Sequence, residues 1–289
     1  MFAHGDNLSG KENHQTKYID EEAKDYLKQI RERYDQWKKS NLEIDGPFSV
    51  PRESDGEIVA ARVALLNDYK DFLDQEHFAS KFDSRSNLHS SVLEEFMFYL
   101  FKDMVVEINK HALFGKSHTF KDIFFTGDRF EDMVVKPRIL VEKKDHDFAI
   151  GVKIKATLEA RGTGKPENDD WDIPLVTIEC KTYLDKTMLQ DASSSASVVK
   201  TRSPNGLCLV VAEWLKLTEA VNLHKFHLDQ IFVLRKQRNT DREFRYKESY
   251  VKNPIYPDVI LELFNLVRNH LTMDWGGGIS KGLERGFLI

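Results

Sequence analysis

Apolar residues recur at three- and four-residue steps from Ile19 through Ala23, Tyr26, Leu27, Ile30, Tyr34 and Trp37, with charges between them. That period predicts an amphipathic helix. The polar stretch 1–16 before it reads as a loosely held arm. Gly46, Pro47, Pro51 and Gly56 mark a connecting loop. Ser54 and Glu57 have the spacing of a capping box, and Val59, Val63, Leu66, Tyr69 and Leu73 give a second helix its apolar face. A third helix opens near Ser90 or Ser91 and runs through Leu93, Phe96, Met97, Leu100 and Met104. It is apolar on almost every side, which marks it as buried, yet it carries Glu94 and Glu95.

The texture changes to β-forming residues at Met133, Val134, Val135, Ile139, Leu140 and Val141. After Asp145-His146-Asp147, the alternation of Phe148, Ile150, Val152, Ile154 and Ala156 predicts a strand. A polar loop follows over 160–173, then a short strand from Leu175 to Lys181 and a helix from Asp185 to Lys200. Ser203-Pro204-Asn205-Gly206 is a turn. Leu207 to Leu215 is almost continuously apolar, as in a strand covered on both faces. His227 to Leu234 is a further strand candidate. Pro254 and Pro257 open a last helix with Val259, Leu263, Leu266 and Val267 inward, and Gly276, Gly277 and Gly278 imply a flexible tail. The pattern predicts an α/β protein, a mixed sheet flanked by helices. It divides into a helical N-terminal region (1–82), a core (83–250) and a C-terminal helix and tail (251–289).

The 289 residues suffice for a sizeable core. Lys plus Arg is 42 against 47 Asp plus Glu, a net charge of −5. A wholly basic nucleic-acid binder is excluded, but a local basic groove is not. With 41% hydrophobic and 31% charged residues the composition is that of an ordinary globular chain. Cys180 and Cys208 lie in apolar runs and read as buried thiols of a reducing compartment. The start has no apolar signal-peptide core and no run reaches the roughly 18 residues of a membrane span. The expected location is cytoplasmic, with no membrane partner.

The chemistry concentrates in Ile178-Glu179-Cys180-Lys181. Alternate side chains of a strand point to opposite faces, so Glu179 and Lys181 share one face while Ile178 and Cys180 enter the core. A carboxylate and an ammonium at the end of a buried strand are costly to keep without a use. If the strand after Asp147 pairs with this one as a hairpin, Asp147 lies beside Glu179. Asp145, two residues earlier, competes for that place. Two carboxylates in one site repel, and a hard divalent cation resolves the repulsion. Mg²⁺ prefers one or two carboxylates plus water and phosphate oxygens. The Cys180 carbonyl could add a ligand, and Lys181 could orient the attacking water or stabilise charge on phosphate. Metal-bound water is a usable nucleophile near neutral pH. These are the requirements of phosphodiester hydrolysis.

Asp147, then Glu179-Xaa-Lys181 ending a strand, then a helix and a buried strand, resembles the PD-(D/E)XK nuclease superfamily. The longer string from Ile178 to Leu189, Ile-Glu-Cys-Lys-Thr-Tyr-Leu-Asp-Lys-Thr-Met-Leu, resembles the BbvCI-like type II restriction endonucleases, which cut an asymmetric DNA site with two related subunits. The resemblance covers roughly Ser90 to Leu217. It implies a restriction-endonuclease-like core, with Asp147 and Glu179 holding Mg²⁺ and Lys181 as the catalytic lysine. His146 stands where the superfamily motif has Pro. Many members also carry a Glu on the helix before the sheet, and Glu94 and Glu95 both qualify. A Ser91–Glu94 capping box would occupy Glu94 structurally, which favours Glu95. The implied partners are double-stranded DNA and a second subunit, related or identical.

Arg235, Lys236, Arg238, Arg242, Arg245 and Lys247 form a basic stretch with Phe244 and Tyr246 interleaved. It suits phosphate contact, or it is a solvated loop or edge strand. Ser193, Ser194, Ser195 and Ser197 either reach phosphates or give their helix a small packing face. His224 and His227 lack the partners of a zinc site. Two other functions stay open. One is a repair or resolvase nuclease of the same superfamily. The other is a DNA-binding or interaction subunit with a silent site.

Overall fold

The computed structural model describes residues 2–82, 87–136, 138–159, 161, 166–238, 250–276 and 278–286. The chain begins with a helix rather than an arm: α1 (Ala3–Glu12) buries His4 and Leu8 and packs on a later helix. Periodicity does not reveal it because few of its residues are apolar. Gly5 allows the close approach, since a Cβ there would lie 2.3 Å from the Tyr34 hydroxyl. Next come α2 (Glu21–Glu43) and α3 (Asp55–Leu73). Asp20 caps α2 by accepting from the Ala23 N–H. Ser54 makes no side-chain cap on α3, so the expected capping box is not formed. Asp55 accepts the Arg52 N–H at that turn instead.

After the short α4 (Glu76–Lys81), the buried helix α5 runs from Leu88 to Ile108. It starts earlier than Ser90. Ser91 therefore lies inside the helix, where its hydroxyl donates to the Leu88 carbonyl. Ser91 is not an N-cap, and Glu94 is released from the expected capping role.

A mixed five-stranded sheet follows, with spatial order equal to chain order. Strand β1 (Leu113–Phe125) is not evident in the sequence because its buried face includes Gly115, Ser117 and Thr119. Met133 to Val135 fall in a short helix, α6 (Phe130–Val135), not in a strand. Strands β2 (Ile139–Leu158) and β3 (Glu167–Leu184) are both longer than the hydrophobic pattern shows, and β3 takes over part of the loop expected at 160–173. The added residues of β3, 167–171, are polar apart from Trp171 and alternate only between half-buried and exposed positions, so they carry no apolar alternation. β1, β2 and β3 run antiparallel in turn. The crossover helix α7 (Lys186–Arg202), capped by Asp185, then places β4 (Leu207–Leu215) parallel to β3, and β5 (Gln230–Val233) follows parallel to β4.

β4 is buried on both faces, as its sequence predicts. Leu209 and Val211 join a core built from α2, α3, α5 and α8 (Pro257–Thr272), whereas Val210 and Ala212 pack against Leu189 and Ala192 of α7. The N-terminal helices, α5 and the sheet share that first core. Past α8 the glycine-rich tail contains a further helix, α9 (Gly278–Arg285), where a flexible end was expected. Among the described residues no helix is long and apolar enough to cross a membrane.

Candidate active site

The antiparallel register of β2 and β3 sets Phe148 opposite Ile178. The next residue on each strand, Asp147 and Glu179, therefore comes to the same end of the hairpin. Ile178 and Cys180 are buried in the main core, and Glu179 and Lys181 take the other face. The Lys181 ammonium stands between the two carboxylates, 2.8 Å from Asp147 Oδ2 and 2.9 Å from Glu179 Oε2. Asp147 Oδ2 also accepts the Cys180 N–H at 2.9 Å. The second Glu179 oxygen, Oε1, lies 3.1 Å from His146 Nδ1. An ionised carboxylate only accepts, so Nδ1 carries the proton of that bond.

Burial pushes the Glu179 carboxyl up, but the His146 hydrogen bond and the Lys181 charge outweigh it and hold the pKa at about 2. For Lys181, burial favours the neutral amine. The charges of Asp147 and Glu179 override it, so the ammonium persists well above its ordinary range. The Cys180 thiol is pushed up by burial and by Asp147, and it is no nucleophile at neutral pH.

An open cleft of about 230 Å³ is lined by Asn87, Ser90, Glu94, Asp147, Cys180, Lys181, Thr182, Tyr183 and Met188; Asp147 and Lys181 reach it, whereas Glu179 lies behind the Lys181 ammonium and does not line it. The cleft sits between the N-terminal ends of α5 and α7, beyond the end of β3. The helix carboxylate facing it is Glu94. Lys116 Nζ is 3.1 Å from Glu94 Oε2. Burial, then the negative charge of Asp147, raises the Glu94 pKa, as happens when carboxylates crowd one site.

Glu95 points elsewhere. Its Oε2 accepts the backbone N–H groups of His4 and Gly5 at 2.9 and 3.0 Å, and its Oε1 accepts the hydroxyls of Tyr34 and Tyr99 at 3.0 and 2.5 Å. Glu95 thus caps α1 from across the core and does not reach the cleft. The sequence favours Glu95 only through a Ser91–Glu94 capping box, and that box does not form. Asp145 is exposed and pairs with His118, which leaves Asp147 alone beside Glu179.

The basic stretch is divided. Arg235 is fully buried, ion-paired with Glu213 and lying over Trp214; Glu213 also holds Lys70. Arg235 is therefore part of the core and not a phosphate contact. Lys236 and Arg238 are exposed, paired with Asp258 and Glu219. Arg242, Arg245 and Lys247 lie outside the described residues. Ser193 is buried and accepts the His227 N–H, so it serves packing. A larger cavity of about 640 Å³ borders β5. There Asp229 is paired with Lys200 and Arg238 with Glu219, and among the described residues lining it no lysine bridges two carboxylates. Among the described residues no three His, Cys, Asp or Glu side chains gather as an all-protein metal cage.

The fold matches a chain of the native BbvCI A2B2 tetramer with a TM-score of 0.71 and 17% identity, over 94% of this chain and 96% of that one. A comparison with curated protein sequences finds no match. The family model of the Bpu10I restriction endonuclease matches residues 85–288, which includes α5, the whole sheet and α8. The chain belongs to the Bpu10I restriction endonuclease family.

Proposed function

We propose that this chain is a catalytic subunit of a type II restriction endonuclease that hydrolyses phosphodiester bonds at a specific site in double-stranded DNA, using Mg²⁺. The observation that carries this reading is the placement of Lys181 between Asp147 and Glu179 at the floor of an open cleft, with Glu94 on the facing helix. Two carboxylates that already share one cation form a hard oxygen donor set. Mg²⁺ needs no all-protein cage, since water and phosphate oxygens complete its shell. The donors fit the ion. Asp147 and Glu179 would hold it, with Glu94 and the Cys180 carbonyl as further oxygen donors beside them. When bound, Mg²⁺ supplies positive charge to the phosphate and lowers the pKa of a bound water.

The protein's own groups do the rest. Lys181 is charged at working pH, so it stabilises negative charge developing on the phosphate and orients the attacking water rather than removing its proton unaided. Its side chain leans on both carboxylates, so its position is set before DNA arrives. Asp147 is fixed by the Cys180 N–H, and Glu179 by its two side-chain partners.

One such site cuts one strand, so cleavage of a duplex needs a second subunit. The A2B2 composition of the structurally similar BbvCI supports a related partner, and a homodimer is the alternative. The tip of the β1–β2 hairpin supports association, because Phe124, Phe125, Phe130, Val134 and Val135 are exposed there. The protein, alone and with candidate partner subunits, should nick or cut plasmid in Mg²⁺. Asp147→Asn should abolish cutting while DNA binding persists. DNA binding with no Mg²⁺-dependent cutting in any combination would instead identify a silent subunit.

A further inference from the structure

His146 occupies a position where a histidine is unfavourable for packing. Its side chain is buried, at 3% exposure. Nδ1 faces Glu179 Oε1 at 3.1 Å, while Nε2 is buried with no hydrogen-bond partner among the described residues. A buried nitrogen left unpaired bears its full desolvation cost, a cost that an apolar residue of similar volume would not carry. The compensating interaction in the structure is the bond to Glu179. That bond and the Lys181 bond take one oxygen each, so they fix both the rotation and the reach of the carboxylate.

We infer that His146 is a positioning residue for the metal site: its Nδ1–H holds Glu179 in the orientation in which that carboxylate ligates a divalent cation. This rests on the reading of Glu179 as a metal ligand. Outer partners of this kind orient ligands, and their loss typically costs about 10–100-fold in metal affinity or activity. The imidazole is not itself a ligand, because its one free nitrogen is buried and Nδ1 is committed to the carboxylate. Ser117 of β1 stands opposite His146 in the register, buried, with its hydroxyl engaged by Thr119. That pairing leaves the bond to Glu179 as the anchor of the ring.

Two substitutions separate positioning from packing. His146→Leu fills much of the space and removes the donor. His146→Asn keeps an N–H close to the place of Nδ1. The probe is Mn²⁺ binding to the purified full chain, followed by calorimetry, with melting temperature measured in parallel and Glu179→Gln as reference. We expect His146→Leu to stay folded, with a melting temperature no lower than that of Glu179→Gln, and yet to bind Mn²⁺ about 10–100-fold more weakly. His146→Asn should stay within about threefold of wild type, inside the range expected when an outer-shell bond is kept. Mn²⁺ affinity unchanged in His146→Leu, or lost equally in both variants, overturns the inference. If Glu179→Gln binds Mn²⁺ like the wild type, or the wild type binds none, the metal-ligand reading of Glu179 fails first and the inference falls with it.

Discussion

Adjacent glutamates on α5 should fail in opposite ways when removed. In Glu95→Ala, four donors lose their acceptor at once: the His4 and Gly5 N–H groups and the Tyr34 and Tyr99 hydroxyls. Hydrogen bonds to a charged group contribute about 1.5–3 kcal/mol each, and a buried donor left unpaired bears its full desolvation cost. The losses do not add, because α1 can detach from α5 and rehydrate its first turn. The expected destabilisation is about 3–5 kcal/mol. At about 2 °C per kcal/mol for a chain of this size, the melting temperature should fall by about 6–10 °C. Glu94 has one ion-pair partner, the exposed Lys116, and burial beside Asp147 disfavours its charge. Glu94→Ala should shift stability by under about 1 kcal/mol in either direction. Single-turnover cleavage by Glu94→Ala should drop by about 100-fold or more, as for loss of a group that completes a metal site. Thermal melts and plasmid cleavage on the two variants decide the matter. A stable Glu95→Ala protein with no activity, or wild-type cleavage by Glu94→Ala, would refute the assignment.

Arg235→Ala should destabilise the protein by about 3–5 kcal/mol, because Glu213 loses a buried partner; the salt dependence of DNA binding by the remaining folded protein should not change. Replacing Lys236 and Arg238 with Ala should leave the melting temperature nearly unaltered. It should lower the salt slope of DNA binding by about one for each phosphate no longer neutralised, and an unchanged slope removes both residues from the DNA surface. Glu179 titrates at about 2 in the folded protein, below its ordinary 4.5, so its ionised form stabilises the fold. That contribution is fully present above pH 4.5 and fades as pH falls toward 2. The stability difference between wild type and Glu179→Gln should narrow over the same window, and a constant difference would contradict it.

Where side chains alternate between core and solvent, the sequence is legible. α2, α3 and α8 follow their apolar periods, β4 and the buried helix α5 show instead as near-continuous apolar runs, and Glu179 and Lys181 share a strand face as the period of two requires. The family resemblance read from Ile178 to Leu189 agrees with the family match over residues 85–288. The hidden parts have physical reasons. β1 buries small and polar side chains. The outer half of the β2–β3 hairpin buries little on either face. α1 is held by capping and by close approach at a glycine rather than by an apolar stripe. The exchange of Glu94 for Glu95 shows how a local rule misleads. Ser91 and Glu94 have capping-box spacing, but the helix begins a turn earlier, and which glutamate faces the cleft is set by α1 docking on the other side of α5. Arg235 misleads in the same way: its charge is visible in sequence, and its burial against Glu213 and Trp214 is not.

If Lys181, Asp147 and Glu179 form a working nuclease centre, cleavage depends on the Lys181 ammonium. The decisive measurement incubates plasmid and Mg²⁺ with the wild type and with Lys181→Ala, each with its partner subunit, and sequences the ends. Breaks at one short sequence are expected with the wild type. With Lys181→Ala, the strand cut by this subunit should stay intact, while the protein remains folded at the assay temperature and DNA affinity stays close to wild type. Equal cutting of that strand by Lys181→Ala would contradict the claim.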